Sequence, residues 1–278
     1  MQLSKHQLNA LIAYIRKFNL LDNIVQYIKN RFNLTIYLGV ELEFYIQNTK
    51  DDIALINQLE AHINNKIEVE QGNNQFEIKL KASNNISKYA NYICYIRNSI
   101  IYFCNQLGTK VYFNAKPYPE DYGNSMQVSL SFLEEDHYEK YANMLCYYLP
   151  DTINMFFMND EDYKRLDSKY MAPTHISHGN NNRTTMIRFP DSYPKRLEHR
   201  LASADASPHL ILYAILNSIY NGLHNINHIP NFKKIYGNAH DPQYGLTKIC
   251  NLHGLQQSKP IKFGENTVYD VKNYNLYL

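Results

Sequence analysis

The stretch Thr35-Ile-Tyr-Leu-Gly-Val-Glu-Leu-Glu-Phe-Tyr-Ile-Gln47 decides the fold, because its apolar and acidic side chains alternate. On a β-strand, residues two apart point to the same face of the sheet. Leu42 and Phe44 therefore project to one face, while Glu41 and Glu43 project to the other. Carboxylates gathered on one side of a sheet are costly unless a positive group lies among them. Divalent cations and arginine-bound phosphates are the candidates for that compensation.

Two further segments place charge on the same side of the predicted sheet. One is Glu70-Gln-Gly-Asn-Asn-Gln-Phe-Glu77, and the other is Arg196-Leu-Glu-His-Arg200. The second segment has strand alternation, so its two arginines share a face with Glu198. In the strand predicted at 125–132, Gln127 and Ser129 also face the acidic side, opposite an apolar row that faces the core.

The remaining pattern predicts an α+β fold, with one curved antiparallel β-sheet and helices packed on its outer face. Apolar residues at helical spacing, with cap and stop signals, predict helices over 4–31, 83–107, 134–149, part of 151–168, and 208–222. Alternation and turn residues predict strands over 35–47, 66–80 with a break at Gly72, 110–115, 125–132, 183–189, and 196–201. The signals in 225–278 are weak and predict irregular structure.

Bulk composition excludes several classes of function. The 278 residues include 45% hydrophobic and 19% charged residues, which is ordinary for a globular protein, and the formal net charge is only +2. Neither nucleic acid nor a membrane is therefore an expected partner. The four cysteines form no CxxC pair, and we expect a reduced, cytoplasmic protein.

Five segments, in this order along the chain, carry a resemblance to a known family. They are Gly39–Phe44, Glu70–Glu77, Ala115–Pro117 with Gly123–Ser129, Asn182–Pro190, and Arg196–Arg200 with Ala204–Pro208. Together they resemble the catalytic domain of the glutamine synthetase family, over residues 35–223. The segment Arg-Leu-Glu-His-Arg, followed by Ala-Asp-Ala-Ser-Pro, resembles most the branch of that family that makes γ-glutamyl polyamines.

The resemblance implies an ATP- and Mg²⁺- or Mn²⁺-dependent ligase that forms a γ-glutamyl amide. In the family, ATP phosphorylates the side-chain carboxylate of glutamate, and ammonia or another amine then displaces phosphate. Phosphoryl transfer depends mainly on alignment and charge neutralisation, and the residue types present suit that task. The expected partners are glutamate, ATP and an amine, and the resemblance also allows a homo-oligomer.

The resemblance also implies roles for individual residues. One metal ion would be held by Glu43, Glu70 and Glu77, and a second by Glu41, Gln127 and Glu198. Arg165 and Arg200 would be catalytic and, with Gly123, would face the glutamate substrate. Four residues would line the ATP phosphates: Ser129, Arg183, Arg188 and Arg196. Arginine suits these roles because its planar guanidinium group grips phosphate or carboxylate in a bidentate manner.

The sequence departs from the family pattern at the metal and amine sites. Gln127 stands where the family has a metal-binding histidine, and its neutral amide oxygen would make a weaker site. Ser129 stands in place of a second histidine. Met171, in the flap segment 169–173, replaces a glutamate that helps to deprotonate the incoming ammonium, and a thioether cannot accept that proton.

Segments expected on either side of the matched motifs also differ from the family. We expect residues 1–278 to form a single catalytic domain, without the family's N-terminal β-grasp domain and with a shortened C-terminal region at 225–278. These departures leave two functions open. One is a ligase for an amine larger than ammonia, and the other is a catalytically impaired regulatory homologue that binds nucleotide or glutamate.

Some features are more ordinary than they first look. His175 and His178 have no third ligand nearby in sequence, so zinc is not expected there. Arg183 and Arg188 have opposite strand parity, so one of them is a surface residue unless a bulge intervenes. Lys116 is either a phosphate contact or a surface lysine.

Overall fold

A computed structural model describes residues 4–47, 53–135 and 137–253, and the backbone of 261–263 and 267–269. Six α-helices lie in these ranges: α1 (Lys5–Lys17), α2 (Leu20–Phe32), α3 (Ile53–Ile63), α4 (Ile86–Gln106), α5 (Glu139–Phe156) and α6 (Pro208–His224). The strands in the same ranges are β1 (Ile36–Ile46), β2 (Glu68–Val69), β3 (Gln75–Ser83), β4 (Val111–Tyr112), β5 (Met126–Phe132), β6 (His178–Gly179), β7 (Ile187–Arg188), β8 (Leu197–His199), β9 (Ile261–Phe263) and β10 (Thr267–Tyr269).

One sheet organises the described residues, with strand order β2-β3-β1-β5-β8-β7-β6 and with β4 paired to the end of β1. Its strand pairs are antiparallel, except that β6 and β7 run parallel. The α+β class is therefore confirmed. Strands β9 and β10 form a separate hairpin, so the expectation of irregular structure over 225–278 is wrong at that point.

The core lies against one face of the central strands. Leu42 and Phe44 of β1, with Val128 and Leu130 of β5, are fully buried or nearly so, as their alternation predicts. Helices α4, α5 and α6 contribute apolar side chains to the same core cluster, which extends from Leu8 to Leu252. This burial fixes the register, because a shift of one residue would turn the acidic side chains into the core.

The predicted N-terminal helix is interrupted. Instead of one helix over 4–31, the chain forms α1 and α2, because Asn19 adopts a left-handed conformation between them. Ser4 and Gln7 form a capping box at the start of α1. The predicted helix over 83–107 is confirmed as α4, and Gly108 follows it with a positive φ of 69°.

The middle of the chain differs from the sequence prediction in a second way. We expected helices on either side of Pro150, but α5 continues through this residue. Leu149, Ile153 and Phe156 are all buried there, and this burial outweighs the ~3 kcal/mol that proline costs inside a helix. A 3-10 helix over Asp160–Arg165 follows.

Two of the predicted strands are shorter in the structure. The strands expected over 183–189 and 196–201 shorten to β7 and β8, since the flanking residues turn away from the ladder. Helix α3 was not predicted at all. Over the described residues, no helix combines the length and the apolarity needed to cross a membrane.

The register of β1 makes a stability prediction. Leu42 is 0% exposed, so Leu42→Ala should lower the free energy of unfolding by about 2–5 kcal/mol through lost burial and a residual cavity. Leu133, at 70% exposure just after β5, is the matched control, and Leu133→Ala should change stability by no more than about 0.5 kcal/mol. Urea denaturation measures both, and equal losses would contradict the assigned register.

Candidate active site

The sheet register brings the acidic residues of separate strands side by side. Glu43 of β1 lies directly opposite Glu77 of β3. On its other side, β1 pairs with β5 so that Glu41 lies opposite Gln127. Directly opposed residues of antiparallel strands have Cβ atoms about 4.5–5.5 Å apart. Three carboxylates and one amide therefore form a continuous polar patch on the face opposite the core.

Glu198 extends this patch on the far side of β5. It lies opposite Ser129 of β5 and opposite Arg188 of β7. Its side chain is only 2% exposed and is held by two guanidinium groups, with Arg188 Nη1 at 2.9 Å and Arg196 Nη2 at 3.3 Å. Both arginines therefore stand beside the acidic patch, and Glu198 fixes their positions.

Hydrogen bonds fix the orientation of Glu43 at the centre of the patch. Its Oε2 accepts from the backbone N–H of Ser125 at 2.7 Å, and its Oε1 accepts from Nε2 of Gln127 at 2.8 Å. The Oε1 of Gln127 in turn faces Nε of Arg200 at 3.4 Å. The side chain of Gln127 thus bridges an acidic and a basic residue.

Two buried arginines lie next to these carboxylates. Arg165 donates from Nη1 to the carbonyl of Leu201 at 2.7 Å, and its buried Nε has no protein partner. Arg200 donates from Nη1 to the carbonyl of Arg183. Burial lowers the pKa of Arg165, and it lowers the pKa of Arg200 to about 10, an effect that Glu198 opposes. Neighbouring buried cations with an unused N–H group suit an anionic ligand.

These groups surround one cavity of about 340 Å³. Carboxylates, guanidinium groups and aromatic rings share its wall. Its lining residues are Glu43, Glu70, Gln71, Gln75, Tyr122, Gly123, Ser125, Gln127, Arg165, Tyr170, Met171, Ala172, Arg183 and Arg200. The predicted convergence of Glu43 and Glu70 with Arg165 and Arg200 is therefore observed, and Glu77 adjoins them through its pairing with Glu43.

Crowding and burial disfavour the charged form of several carboxylates. Burial, together with repulsion from Glu41, Glu70 and Glu43, raises the pKa of Glu77 to about 8. The pKa of Glu41 is raised by burial and by Glu198, and the pKa of Glu70 by burial and by Glu43. Lys79 pairs with Glu77 at 3.1 Å, but it lies at the exposed rim and offsets this only in part.

The donor set fits a hard divalent cation better at one predicted site than at the other. Glu43, Glu70 and Glu77 offer carboxylate oxygens, the ligands that Mg²⁺ and Mn²⁺ prefer. Their negative charge is not fully compensated by neighbouring cations. At the second predicted site, Glu198 already has two arginines, and the amide of Gln127 directs its N–H group to Glu43. Over the described residues, no three His, Cys, Asp or Glu side chains stand in an arrangement that would already hold a metal ion.

The flap segment closes one side of the cavity. Met171 adopts a left-handed conformation with φ 57°, and its side chain is 41% exposed. Tyr170 packs edge-on against Tyr122 with ring centroids 5.2 Å apart. The ammonium of Lys116 lies 3.7 Å from the centroid of the Tyr170 ring, so this lysine supports the flap. This wall of the cavity is therefore formed by a thioether and two phenol rings.

The remaining predicted site residues also have definite positions. Gly123 has no room for a side chain, because a Cβ atom would lie 2.7 Å from the carbonyl oxygen of Ala115 and 2.9 Å from Cβ of Arg165. Arg183 lies in the turn before β7, not on a strand, so the parity argument does not apply to it, and it is exposed at the cavity edge. His178 is buried, and its Nε2 contacts the carbonyl of Phe232.

Sequence reasoning gave no role to six residues of the cavity wall: Gln71, Gln75, Tyr122, Ser125, Tyr170 and Ala172. Tyr122 and Tyr170 are two of 25 tyrosines, so their type alone gave no signal, although each adjoins a predicted site residue. Gln75 lies inside the acidic segment, where its Nε2 donates to the carbonyl of Gly123 at 3.1 Å and so ties the two segments together. The spacing within Glu70–Glu77 could have indicated Gln75.

Comparisons with known proteins find similarity in sequence and in fold. The family model described as glutamine synthetase, catalytic domain, matches residues 52–251. Gamma-glutamylputrescine synthetase PuuA of Escherichia coli (strain K12) is 25% identical over 274 residues, covering 80% of this chain and 57% of that protein. The chain therefore spans little more than half the length of this relative.

Solved structures with the same fold include a GmaS–ADP complex and Plasmodium falciparum glutamine synthetase. The first has a TM-score of 0.69 at 20% identity and covers 82% of this chain and 64% of the other. The second has a TM-score of 0.60 at 18% identity and covers 74% and 55%, respectively. At these identities the likeness establishes the fold.

The crowded carboxylates predict a pH-dependent stability in chelator-treated protein. The folded pKa of Glu77, about 8, lies above its unfolded value of 4.5, so the folded state binds the proton more tightly. The stability that protonation of Glu77 contributes is fully present below pH 4.5 and is lost as the pH rises through 8. The melting temperature should therefore fall across this window.

Glu77→Gln should flatten that fall, because the amide does not ionise. Glu161→Gln is the control, since Glu161 pairs only with Lys164 on the surface. Added Mg²⁺ should raise the melting temperature most at the alkaline end, where the carboxylates are charged. A fall of equal size in parent and Glu77→Gln protein would contradict the argument.

Proposed function

The chain belongs to the glutamine synthetase family, and from this premise we propose that it is an ATP- and Mg²⁺- or Mn²⁺-dependent ligase that forms a γ-glutamyl amide. Glutamate, ATP and an amine larger than ammonia are the proposed substrates. The observation that carries the proposal is the meeting of Glu43 and Glu70 with buried Arg165 and Arg200 around one cavity. That arrangement suits a reaction in which both a carboxylate and a phosphoryl group must be held.

The first half-reaction would be phosphoryl transfer. An oxygen of the substrate γ-carboxylate attacks the terminal phosphorus of ATP, the bond to ADP breaks, and γ-glutamyl phosphate forms. Arg165 and Arg200 would hold the carboxylate and then the transferred phosphoryl group, because both are buried and point charge into the cavity. Gly123 lines the same cavity and would face the glutamate substrate, and its lack of a side chain leaves room for Arg165.

The nucleotide would lie along the basic side of the patch. Arg188 and Arg196, which Glu198 holds side by side, would contact the ATP phosphates together with Ser129 and Arg183. A divalent ion bound by Glu43, Glu70 and Glu77 would supply charge neutralisation to the transferring phosphoryl group. A second would be held by Glu41, Gln127 and Glu198, more weakly because of the amide ligand and the competing arginines.

The second half-reaction would be attack by the amine. The neutral amine nitrogen bonds to the acyl carbon, inorganic phosphate leaves, and the nitrogen loses a proton. Met171 cannot take up that proton. Without a base at this position ammonia would be a poor acceptor, as any protonated amine would, and the apolar flap would favour an amine whose body packs against it.

A second function is favoured by one observation, the position of Gln127. Its amide joins Glu43 to Arg200, so the second metal site has a neutral ligand that already makes hydrogen bonds. A homologue that binds Mg²⁺–ATP without turnover would then serve a regulatory role. Titration calorimetry that shows nucleotide binding, together with no product in any assay below, would favour this function.

Three further proposals concern the domain organisation, the cellular compartment and the oligomeric state of the protein. The described residues share one apolar core, which supports a single catalytic domain. The described cysteines are free, which supports a reducing, cytoplasmic setting. Assembly as a homo-oligomer is proposed from the family alone.

The central carboxylate gives a direct test. With glutamate, ATP and Mg²⁺, the protein should convert hydroxylamine to γ-glutamyl hydroxamate and release phosphate. Glu43→Gln should lower this rate at least about a hundredfold, because a metal ligand and a hydrogen-bond anchor are lost together. Glu161→Gln should retain the parent rate. Hydroxamate formation that survives Glu43→Gln would contradict the assignment.

The flap gives a separate test. Met171→Glu should raise the ammonia-dependent rate about tenfold or more, because a carboxylate at the amine side can accept the proton. Met171→Gln has the same length without the charge and is the matched control. If both variants gain equally, or if neither gains while hydroxamate is formed, proton acceptance at this position is not what limits the use of ammonia.

A further inference from the structure

The carboxylates of the polar face fall into two sets that differ in their neighbours. We call Glu43, Glu70 and Glu77 the first set, and Glu41, Gln127 and Glu198 the second set. In the second set, Glu41 lies directly opposite Gln127, and Glu198 lies opposite Ser129, the next residue of β5 on the same face. Basic side chains contact or oppose each member of the second set, and they are Lys79, Arg188, Arg196 and Arg200.

Both oxygens of Glu198 are already bonded to guanidinium groups. Arg188 donates from Nη1 to Oε2 at 2.9 Å, and Arg196 donates from Nη2 to Oε1 at 3.3 Å. Each guanidinium is also held from its other side. Nε of Arg188 donates to Oδ1 of Asn181 at 3.0 Å, and Nη1 of Arg196 donates to Oγ of Ser192 at 3.1 Å. A metal ion could reach Glu198 only by breaking contacts that are anchored at both ends.

The amide oxygen of Gln127, the atom of this side chain that could bind a metal ion, faces a cation. It lies 3.4 Å from Nε of Arg200, while Nε2 of the same amide donates to Glu43 at 2.8 Å. Rotating the amide by half a turn would direct its N–H groups at the guanidinium and its oxygen at the carboxylate, so both contacts would become repulsive. Arg200 is buried, so an ion at this oxygen would lie beside a buried positive charge.

Lys79 brings an ammonium group to the remaining member of the second set. In the register of β1 and β3 it lies directly opposite Glu41, on the face that carries the carboxylates. Its Nζ lies 3.1 Å from Oε1 of Glu77 and also contacts Glu68. Lys79 is half-exposed, whereas Glu77 is 3% exposed, so this ion pair reaches from the rim into the buried part of the patch. A carboxylate has two oxygens, and Glu77 can therefore serve a lysine and a metal ion together.

Hydrogen bonds to the first set come from neutral groups. Glu43 accepts from the backbone N–H of Ser125 and from the amide of Gln127. Glu70 accepts from the backbone N–H of Gln71 at 3.0 Å. Such bonds orient a carboxylate without cancelling its charge, so a divalent ion at the first set still meets oxygens that require it.

We propose that cations of the chain take the place of a divalent ion at the second set, which stays free of metal at concentrations that fill the first set. This inference rests on the proposed function and narrows its metal requirement to one ion. Three arginines outnumber the two carboxylates of the second set, and Lys79 adds to their charge, so an added divalent ion would meet net repulsion. Arg188 and Arg196 would bring to a phosphate chain the positive charge that a second ion would otherwise supply.

Counting the bound ions tests the inference without any turnover. Chelator-treated protein without nucleotide is titrated with Mn²⁺, and the number bound per chain is read by calorimetry and by the electron paramagnetic resonance of the free ion. We expect one ion per chain up to about ten times the Kd of that ion. Two ions bound in this range, or none, would overturn the inference.

The same chemical change made in each set identifies where the ion lies. Glu70→Gln removes a ligand of the first set and should raise the Kd for Mn²⁺ about tenfold or more. Glu41→Gln makes this change in the second set, and one ion should still bind with a Kd within about threefold of the parent value. An equal or greater loss of affinity in Glu41→Gln would contradict the proposed position of the ion.

A further substitution tests whether Lys79 acts as a cation of the site. Lys79→Gln removes the ammonium beside Glu77, so the Kd for Mn²⁺ should fall about threefold, the size expected for a partly exposed charge contact. Lys81→Gln, two residues further along β3 and exposed, is the matched control and should change the Kd less than about 1.5-fold, because water and salt screen its charge. Unchanged or weaker binding in Lys79→Gln would contradict the role of Lys79.

The two proposals can fail separately. The hydroxamate assay decides whether the chain is a ligase, and the ion count decides which set binds metal. One bound ion without hydroxamate would leave this inference standing and overturn the ligase proposal. Two bound ions together with hydroxamate would overturn this inference and leave the ligase proposal standing.

Discussion

Repulsion among carboxylates on one face of the sheet is the constraint on which the site depends. Glu43 and Glu77 are opposed across β1 and β3, and Glu41 lies two residues along on the same face. The side chains on the opposite face of these strands are buried in the core, so the register cannot shift to relieve the repulsion. A charged ligand, not a rearrangement of the strands, is the available means of compensation.

The compensation already present is uneven across the sheet. Beyond β5, two arginines neutralise Glu198, whereas near β3 the rim residue Lys79 is the one cation paired with Glu77 among the described residues. The two halves of the patch therefore differ in how much positive charge they still require. A divalent ion gains most beside Glu77, and a phosphate chain gains most beside Arg188 and Arg196. In the proposed reaction this gradient would orient a nucleotide and a metal ion relative to the glutamate without any change in the backbone.

Much of this arrangement could be predicted from the sequence, since strong alternation in β1 and β5 fixes which side chains share a face. The short strands β7 and β8 could not be bounded, because tertiary contacts such as that of Arg188 with Glu198 hold them, not strand propensity. Helix α5 was divided in the prediction because local rules treat Pro150 as a break, whereas burial on both sides overrides it. The phenol rings behind the flap carried no pattern that sequence reading could use.

The residues present support the two halves of the proposed reaction unequally. Carboxylates and buried arginines, which suit the first half, share the wall of one cavity. At the flap, Met171 stands with the rings of Tyr122 and Tyr170, and none of these side chains is a carboxylate that could take up a proton in the second half. Phosphoryl transfer depends on charge and alignment that the sheet already provides, whereas attack by an amine depends on a base that the flap does not provide.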